Sequence, residues 1–217
     1  MIDVSVIIPY HQDRGYLFDA IESYEAQEFT GTSELILSHN PTYTLGQNIN
    51  AGLAQAKGKY VKILPDDDLL TPNSLQSLFD FAEANSADVV FAQALNFNDG
   101  IYIGSDSQGL FAPSTEDFSL TSLLRKNFIH GGTTLYRTSM IREVGGFDDT
   151  LWTAEEYEFH LRCLSQDYSF HYLPEVVFEY RLWPGSKSIG YRVSQKVSQK
   201  AKRDQAIAEI KARFGNL

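Results

Sequence analysis

Four short apolar runs recur through the first 94 residues, and helical apolar spacing fills each gap between them. The runs are residues 4–8 (VSVII), 34–38 (ELILS), 60–64 (YVKIL) and 87–94 (ADVVFAQA). Their β-branched and aromatic content reads as buried strand. Between them, Leu17, Ile21 and Tyr24 fall on one helical face. So do Leu45, Ile49, Leu53 and Ala56 (ended by Gly58), and then Leu75, Leu78, Phe79 and Ala82. Strand and helix alternating in this way predict an α/β fold, a mostly parallel central sheet flanked by helices.

The third run leads into the most unusual stretch, residues 59–72 (KYVKILPDDDLLTP). Pro65 has no N–H to continue a ladder, so the strand should stop there. Asp66, Asp67 and Asp68 follow at once, and Thr71-Pro72 reads as a helix N-cap with proline at the first helical position. Three like charges at the carboxyl end of a strand occupy the place where open α/β sheets bind ligands. A divalent cation would relieve their repulsion, and carboxylate oxygens suit Mg2+ or Mn2+; a solvated acidic turn is the plainer alternative.

After residue 94 the pattern changes. Residues 97–102 suggest a hairpin about Asp99-Gly100, and 104–117 a long loop of the kind that often forms a lid. A short helix is expected over 120–126, a strand over 133–137, helices over 139–144 and 154–166, and one or two strands over 169–183, broken at Pro174.

Charge divides the chain in two. Residues 1–186 hold 10 basic and 26 acidic residues, net −16, whereas residues 187–217 hold 8 and 2, net +6. An acidic body argues against nucleic acid as a partner. Residues 191–214 repeat Val193, Val197, Ala201, Ile207, Ile210 and Phe214 near one face amid lysines and arginines, a basic C-terminal helix. Such a helix can lie on an anionic membrane or pack on the domain or in a homo-oligomer. The single cysteine, Cys163, rules out an internal disulfide, and the N-terminus lacks signal-peptide features. The expected location is cytoplasmic, with contact at the inner face of a membrane through 191–217 left open and packing of this helix on the domain or a partner subunit favoured over it.

The segments VSVIIPYHQD, AIESYEAQ, ELILSHN, NAGLAQAKGKYVKILPDDDLLTP, GGFDDTLWTAEEYEFHLRC and YRLWPGSKS occur in this order. Together they resemble an inverting family 2 glycosyltransferase of the GT-A type over residues 2–188. The resemblance implies a nucleotide-sugar donor, weakly a UDP-sugar, a glycan or lipid-linked acceptor, and one displacement at the anomeric carbon. It implies a nucleotide-sugar half over 1–110, an acceptor half over 111–190 and a helical tail over 191–217. Asp67 and Asp68 would hold the metal, with Asp66 beside the donor, and Glu156 would be the general base. An acidic pair at a helix N-terminus is also favourable without catalysis. Pro9, Tyr10, His11, His39, Asn40 and Asn50 match positions bordering the nucleotide. Arg181 and Lys187 could supply charge to the diphosphate. His130, Gly131, Glu155 and Trp183 match the acceptor side.

Three departures stand out: Pro65 where the family's motif begins with Asp, His39-Asn40 where it has two acids, and Ile49 where it has a base. They leave open a member that binds without turnover. A nucleotidyltransferase would need a glycine-rich phosphate loop after the first strand, but PYHQDRG has one glycine.

Overall fold

The computed structural model describes residues 1–98, 101–102, 110–113, 117–183 and 197–215. The strands are β1 (Val4–Tyr10), β2 (Ser33–His39), β3 (Tyr60–Ile63), β4 (Leu69–Leu70), β5 (Val89–Asn98), β6 (Ile101–Tyr102), β7 (Leu110–Phe111), β8 (Leu135–Arg137) and β9 (Phe170–Arg181). The helices are α1 (Leu17–Glu25), α2 (Leu45–Leu53), α3 (Ser74–Asn85), α4 (Leu120–Arg125), α5 (Thr138–Val144), α6 (Glu155–Leu164) and α7 (Val197–Phe214), with a 3-10 turn at Gly131–Thr133.

One sheet runs in the order β2-β1-β3-β8-β5-β9-β4, with β6 and β7 added to β5. The α/β expectation holds, but the sheet is mixed. Parallel pairing joins β1 to β2 and β3, and β5 to β9. The short β8 enters antiparallel between β3 and β5 and separates these two parallel parts.

Alternation along β1 sends Val4, Val6 and Ile8 to one face and Ile7 to the other. The first face packs against Ala20 of α1 and against Leu75, Leu78 and Ala82 of α3. The second packs against Ile49 and Leu53 of α2, Met140 and Ile141 of α5, and Phe159 and Cys163 of α6. Buried Cys163 is the small core residue its helical setting suggests.

Two local expectations are corrected. Thr71 is not a helix cap: α3 begins at Ser74 behind Asn73, and the Thr71 hydroxyl donates to the Val176 carbonyl (3.2 Å). The stretch before it forms β4, which pairs with β9. Nor does Pro174 break β9. The β5 register passes from Phe91↔Tyr172 to Gln93↔Val176, so a bulge takes up the residue that cannot donate.

The predicted hairpin pairs as expected at Phe97↔Tyr102; its Asp99-Gly100 turn lies outside the described residues. Helix α7 docks on the domain. Ile210 and Phe214 join a core of Leu123, Phe128, Tyr157 and Leu161 beneath α4 and α6. No helix among the described residues is long and apolar enough to cross a membrane.

Candidate active site

A cavity of about 760 Å³ opens where the ends of β1 and β3, the 3-10 turn and the start of α6 come together. Pro65 to Asp68 form its acidic edge, closed by a turn in which the Asp68 N–H donates to the Pro65 carbonyl (3.3 Å). Asp66 and Asp68 are 6% and 2% exposed. Burial pushes the Asp66 carboxyl up to about 6, opposed by Arg14 and reinforced by Asp67. Burial and the charge of Asp67 push Asp68 well above the usual carboxylate range.

Three side chains brace this edge. Arg14 Nη2 lies 2.6 Å from Asp66 Oδ1 and 3.5 Å from Asp67 Oδ2. Trp183 Nε1 donates to Asp67 Oδ2 (2.9 Å), with the Arg14 guanidinium 5.3 Å from its ring centre. The Arg181 N–H donates to Asp68 Oδ1 (2.8 Å), while its guanidinium donates to the Asp67 carbonyl (2.9 Å) and to Asp19 Oδ2 (2.8 Å). Arg181 therefore fixes the turn from behind and does not line the cavity. Trp183, matched to the acceptor side by resemblance, sits against the acidic turn instead.

The first turn of α6 supplies Glu155 and Glu156, both lining the cavity. Ala154 precedes them at φ +61°, the left-handed region, and turns the chain sharply into the helix. Carboxylates are favourable at this positive helix end. Glu156 lies against Gly131: a Cβ there would come within 2.5 Å of the Glu156 carboxyl carbon. His130 also lines the cavity, its ring 4.8 Å from that of Tyr180. Its Nδ1 accepts from the Gly132 N–H (3.2 Å), and burial, then the charge of Lys62, lowers it to about 4. His130 is thus neutral at neutral pH.

Beneath the 3-10 turn lies Lys62, wholly buried on β3, donating to the carbonyls of Ile63 (3.0 Å) and Gly132. Burial lowers its ammonium to about 7, while the carboxylates of Asp68 and Glu156 pull it back up. Lys62 therefore feels both acidic groups of the cavity at once.

Pro9, Tyr10 and His11 form the end of the cavity above β1. His39 and Asn40 stand behind them: the His39 ring stacks on Tyr10 at 4.4 Å and its Nε2 donates to the His11 carbonyl (2.9 Å). Asn40 Oδ1 accepts from the Thr42 N–H (3.0 Å) and hydroxyl (2.8 Å). Neither lines the cavity. Asn50 is away from it, since its amide grips both the carbonyl (2.8 Å) and the N–H (2.9 Å) of Phe147. Lys187 lies outside the described residues.

Sequence reasoning missed Arg14 and the cavity face of α7, which contributes Arg203, Ile207 and Lys211. Arg14 had a signal: it is the sole Lys or Arg in residues 1–56.

Residues 26–145, more than half of the chain, match the family model described as Glycosyl transferase family 2. An uncharacterized protein of Sinorhizobium fredii is 26% identical over 92% of this chain and 24% of its own length. An uncharacterized glycosyltransferase of Methanocaldococcus jannaschii is 24% identical over 82% of this chain and 70% of its own length. The chain thus spans about a quarter of the first relative and most of the second. Among solved structures, Staphylococcus aureus TarS 1-349 in complex with UDP-GlcNAc superposes with a TM-score of 0.67 at 18% identity, over 96% of this chain and 71% of that one. The fold is thus similar to that of TarS.

Proposed function

Because the chain belongs to glycosyl transferase family 2, we propose that it moves a sugar from a nucleotide-sugar donor to an acceptor hydroxyl with inversion at the anomeric carbon. The observation that carries this reading is that the acidic turn and Glu156 line one cavity. The donor half is 1–110 and the acceptor half 111–190. The donor is a UDP-sugar, a reading supported by the fold it shares with TarS, which binds UDP-GlcNAc.

The residues fit a divalent cation. Asp66, Asp67 and Asp68 offer hard oxygen donors at the cavity edge, and burial raises the Asp66 carboxyl even with Arg14 beside it. Among the described residues no three metal-binding side chains converge. Asp67 and Asp68 would therefore hold the ion together with donor oxygens and water. Bound there, it would neutralise charge developing on the departing diphosphate.

The chain's own residues supply the rest. Tyr10, braced by His39, borders the nucleotide. Glu156 accepts the proton of the acceptor hydroxyl as that oxygen attacks the anomeric carbon. Gly131 leaves room for its carboxylate, and neutral His130 adds no competing charge. One base and one displacement convert an α-linked donor into a β-linked product.

A panel of UDP-, GDP-, dTDP- and CMP-sugars with and without Mn2+ tests donor binding by thermal shift, because a ligand of the folded state raises stability by mass action. A Mn2+-dependent shift with UDP-sugars is expected; no shift with any nucleotide sugar overturns the reading. Glu156→Gln should reduce transfer by about 10²–10⁴-fold and leave UDP affinity nearly intact. Transfer within a few-fold of wild type would place the base elsewhere.

A further inference from the structure

Lys62 is out of place by the pattern of its own strand. Alternation along β3 puts it on the same face as Tyr60 and Leu64, which enter the apolar core that contains Phe178. Lys62 is wholly buried there. Its Nζ donates to the carbonyls of Ile63 (3.0 Å) and Gly132 and lies 5.1 Å from the centre of the Phe178 ring. Among the described residues no carboxylate pairs with it directly; Asp68 and Glu156 act on it from farther off. A methionine would fill the same space without the cost of taking an amine out of water. What the lysine adds is a bond from β3 to Gly132, 70 residues along the chain.

Gly132 is held on three sides. Lys62 takes its carbonyl, the Phe178 ring fills the space where a Cβ would stand, and its N–H donates to His130 Nδ1 (3.2 Å). A neutral imidazole whose Nδ1 accepts carries its proton on Nε2, so the ring of His130 is fixed in one tautomer. The residue between them, Gly131, is the one that lies against the Glu156 carboxyl. The turn also has fastenings of its own: the Thr133 N–H (2.9 Å) and hydroxyl (2.8 Å) both donate to the His130 carbonyl. Loss of the lysine would therefore leave the turn folded but no longer tied to β3.

We propose that Lys62 is a positioning residue: through Gly132 it sets where the 130–132 turn sits, and with it the space beside Gly131 in which the Glu156 carboxylate meets the attacking hydroxyl. This rests on the glycosyltransferase reading. Both bonds are N–H donations, which an ammonium and an amine make alike, so the role does not depend on the charge of Lys62.

The kinetic test is hydrolysis of UDP-GlcNAc with Mn2+, in which water takes the place of the acceptor hydroxyl. Lys62→Met should lower kcat by about 10- to 10²-fold, the scale of a misplaced reacting group. KM should stay within about twofold, since donor contacts are untouched. Lys62→Gln, one bond shorter but still an N–H donor, should recover part of the loss. The double variant Lys62→Met, Glu156→Gln should be no slower than Glu156→Gln alone, because the lysine acts through that carboxylate. A second readout needs no substrate. In long-range 1H–15N spectra the His130 Nδ1 signal of Lys62→Met should move toward that of a nitrogen without a hydrogen bond. Wild-type kcat in Lys62→Met, or a loss that adds in full to that of Glu156→Gln, overturns the proposal, as does an unmoved His130 signal. Absence of hydrolysis in the wild type removes the glycosyltransferase reading, and the His130 signal then still decides whether Lys62 sets the turn.

Discussion

Arg14 Nη2 stands 2.6 Å from Asp66 Oδ1, so the first carboxylate of the acidic turn already has a cation of its own. The guanidinium reaches Asp67 as well, at 3.5 Å, and is itself only 31% exposed. A divalent ion entering the turn must compete with it for the same oxygens.

Replacing Arg14 with Gln should therefore raise the affinity for Mn2+ alone at pH 7.5, by about fivefold if the pair contributes about 1 kcal/mol. Mn2+ titration followed by electron paramagnetic resonance measures it. Unchanged or weaker Mn2+ binding would show that Arg14 organises the acidic turn and does not compete for it. In the wild type the same affinity should fall as pH drops through about 6, where Asp66 takes up its proton.

Gly131 gives a sharper test of the base. A Cβ at this position would meet the Glu156 carboxyl carbon at 2.5 Å and its Oε1 at 2.6 Å. Those atoms are the far end of a flexible side chain, so Gly131→Ala should move the carboxylate at little cost to the fold. Transfer should fall by about 10²-fold or more, since even a 1 Å misplacement can cost that much. Donor affinity and the melting temperature should hardly change. A variant with wild-type turnover would separate Glu156 from the chemistry.

Lys62 makes the stability of the domain depend on pH. Burial lowers its ammonium from 10.5 to about 7, so between those values the unfolded chain binds more protons than the folded one. Stability should then rise with pH across roughly 7 to 10, by at most about 1.4 kcal/mol per pH unit. Asp66 acts in the opposite sense at lower pH. Its folded carboxyl, raised to about 6, holds a proton that the unfolded chain has lost above about 4, so its own contribution to stability falls there as pH rises, while buried His130, lowered to about 4, and His160, lowered to about 3, contribute in the opposite sense. Urea unfolding at stepped pH measures the alkaline slope, and Lys62→Met should flatten it. An alkaline slope that survives Lys62→Met would assign it to another group.

Apart from β4, the strands and helices up to residue 94 were legible because β1, β3 and the first half of β5 are buried on both faces and each helix has one apolar stripe. Pairing partners were not. Nothing local in Leu135, Tyr136 and Arg137 says that they will enter antiparallel between β3 and β5, since that is decided by what the whole sheet can cover. The motif residues Asp66 to Asp68 and Glu155-Glu156 did converge on one cavity. Asn50 did not, because a free amide in the sequence gives no sign that the Phe147 backbone, 97 residues away, will occupy both its ends. Arg14 was hidden for a related reason. It lies in a turn without periodicity, and only the fold brings it to an acid 52 residues on.

The tail was ambiguous in the sequence, because the same apolar stripe can face a membrane or a protein core. The structure spends the strongest part of that stripe on the domain: Ile210 is wholly buried and Phe214 is 8% exposed, both against Leu123, Tyr157 and Leu161. Truncating a docked side chain removes its burial and leaves a cavity, at about 2–5 kcal/mol for Ile→Ala and about 3–5 kcal/mol for Phe→Ala. If α7 unfolds together with the domain, urea melts of Ile210→Ala and Phe214→Ala will show losses of that size. If α7 comes off first, the global transition will hold and amide exchange across 201–214 will quicken instead. Either result fits a docked helix. A variant pair that alters neither the melt nor the exchange would mean that the stripe is not held by the domain, and salt-sensitive co-sedimentation with anionic vesicles would then be the measurement to make.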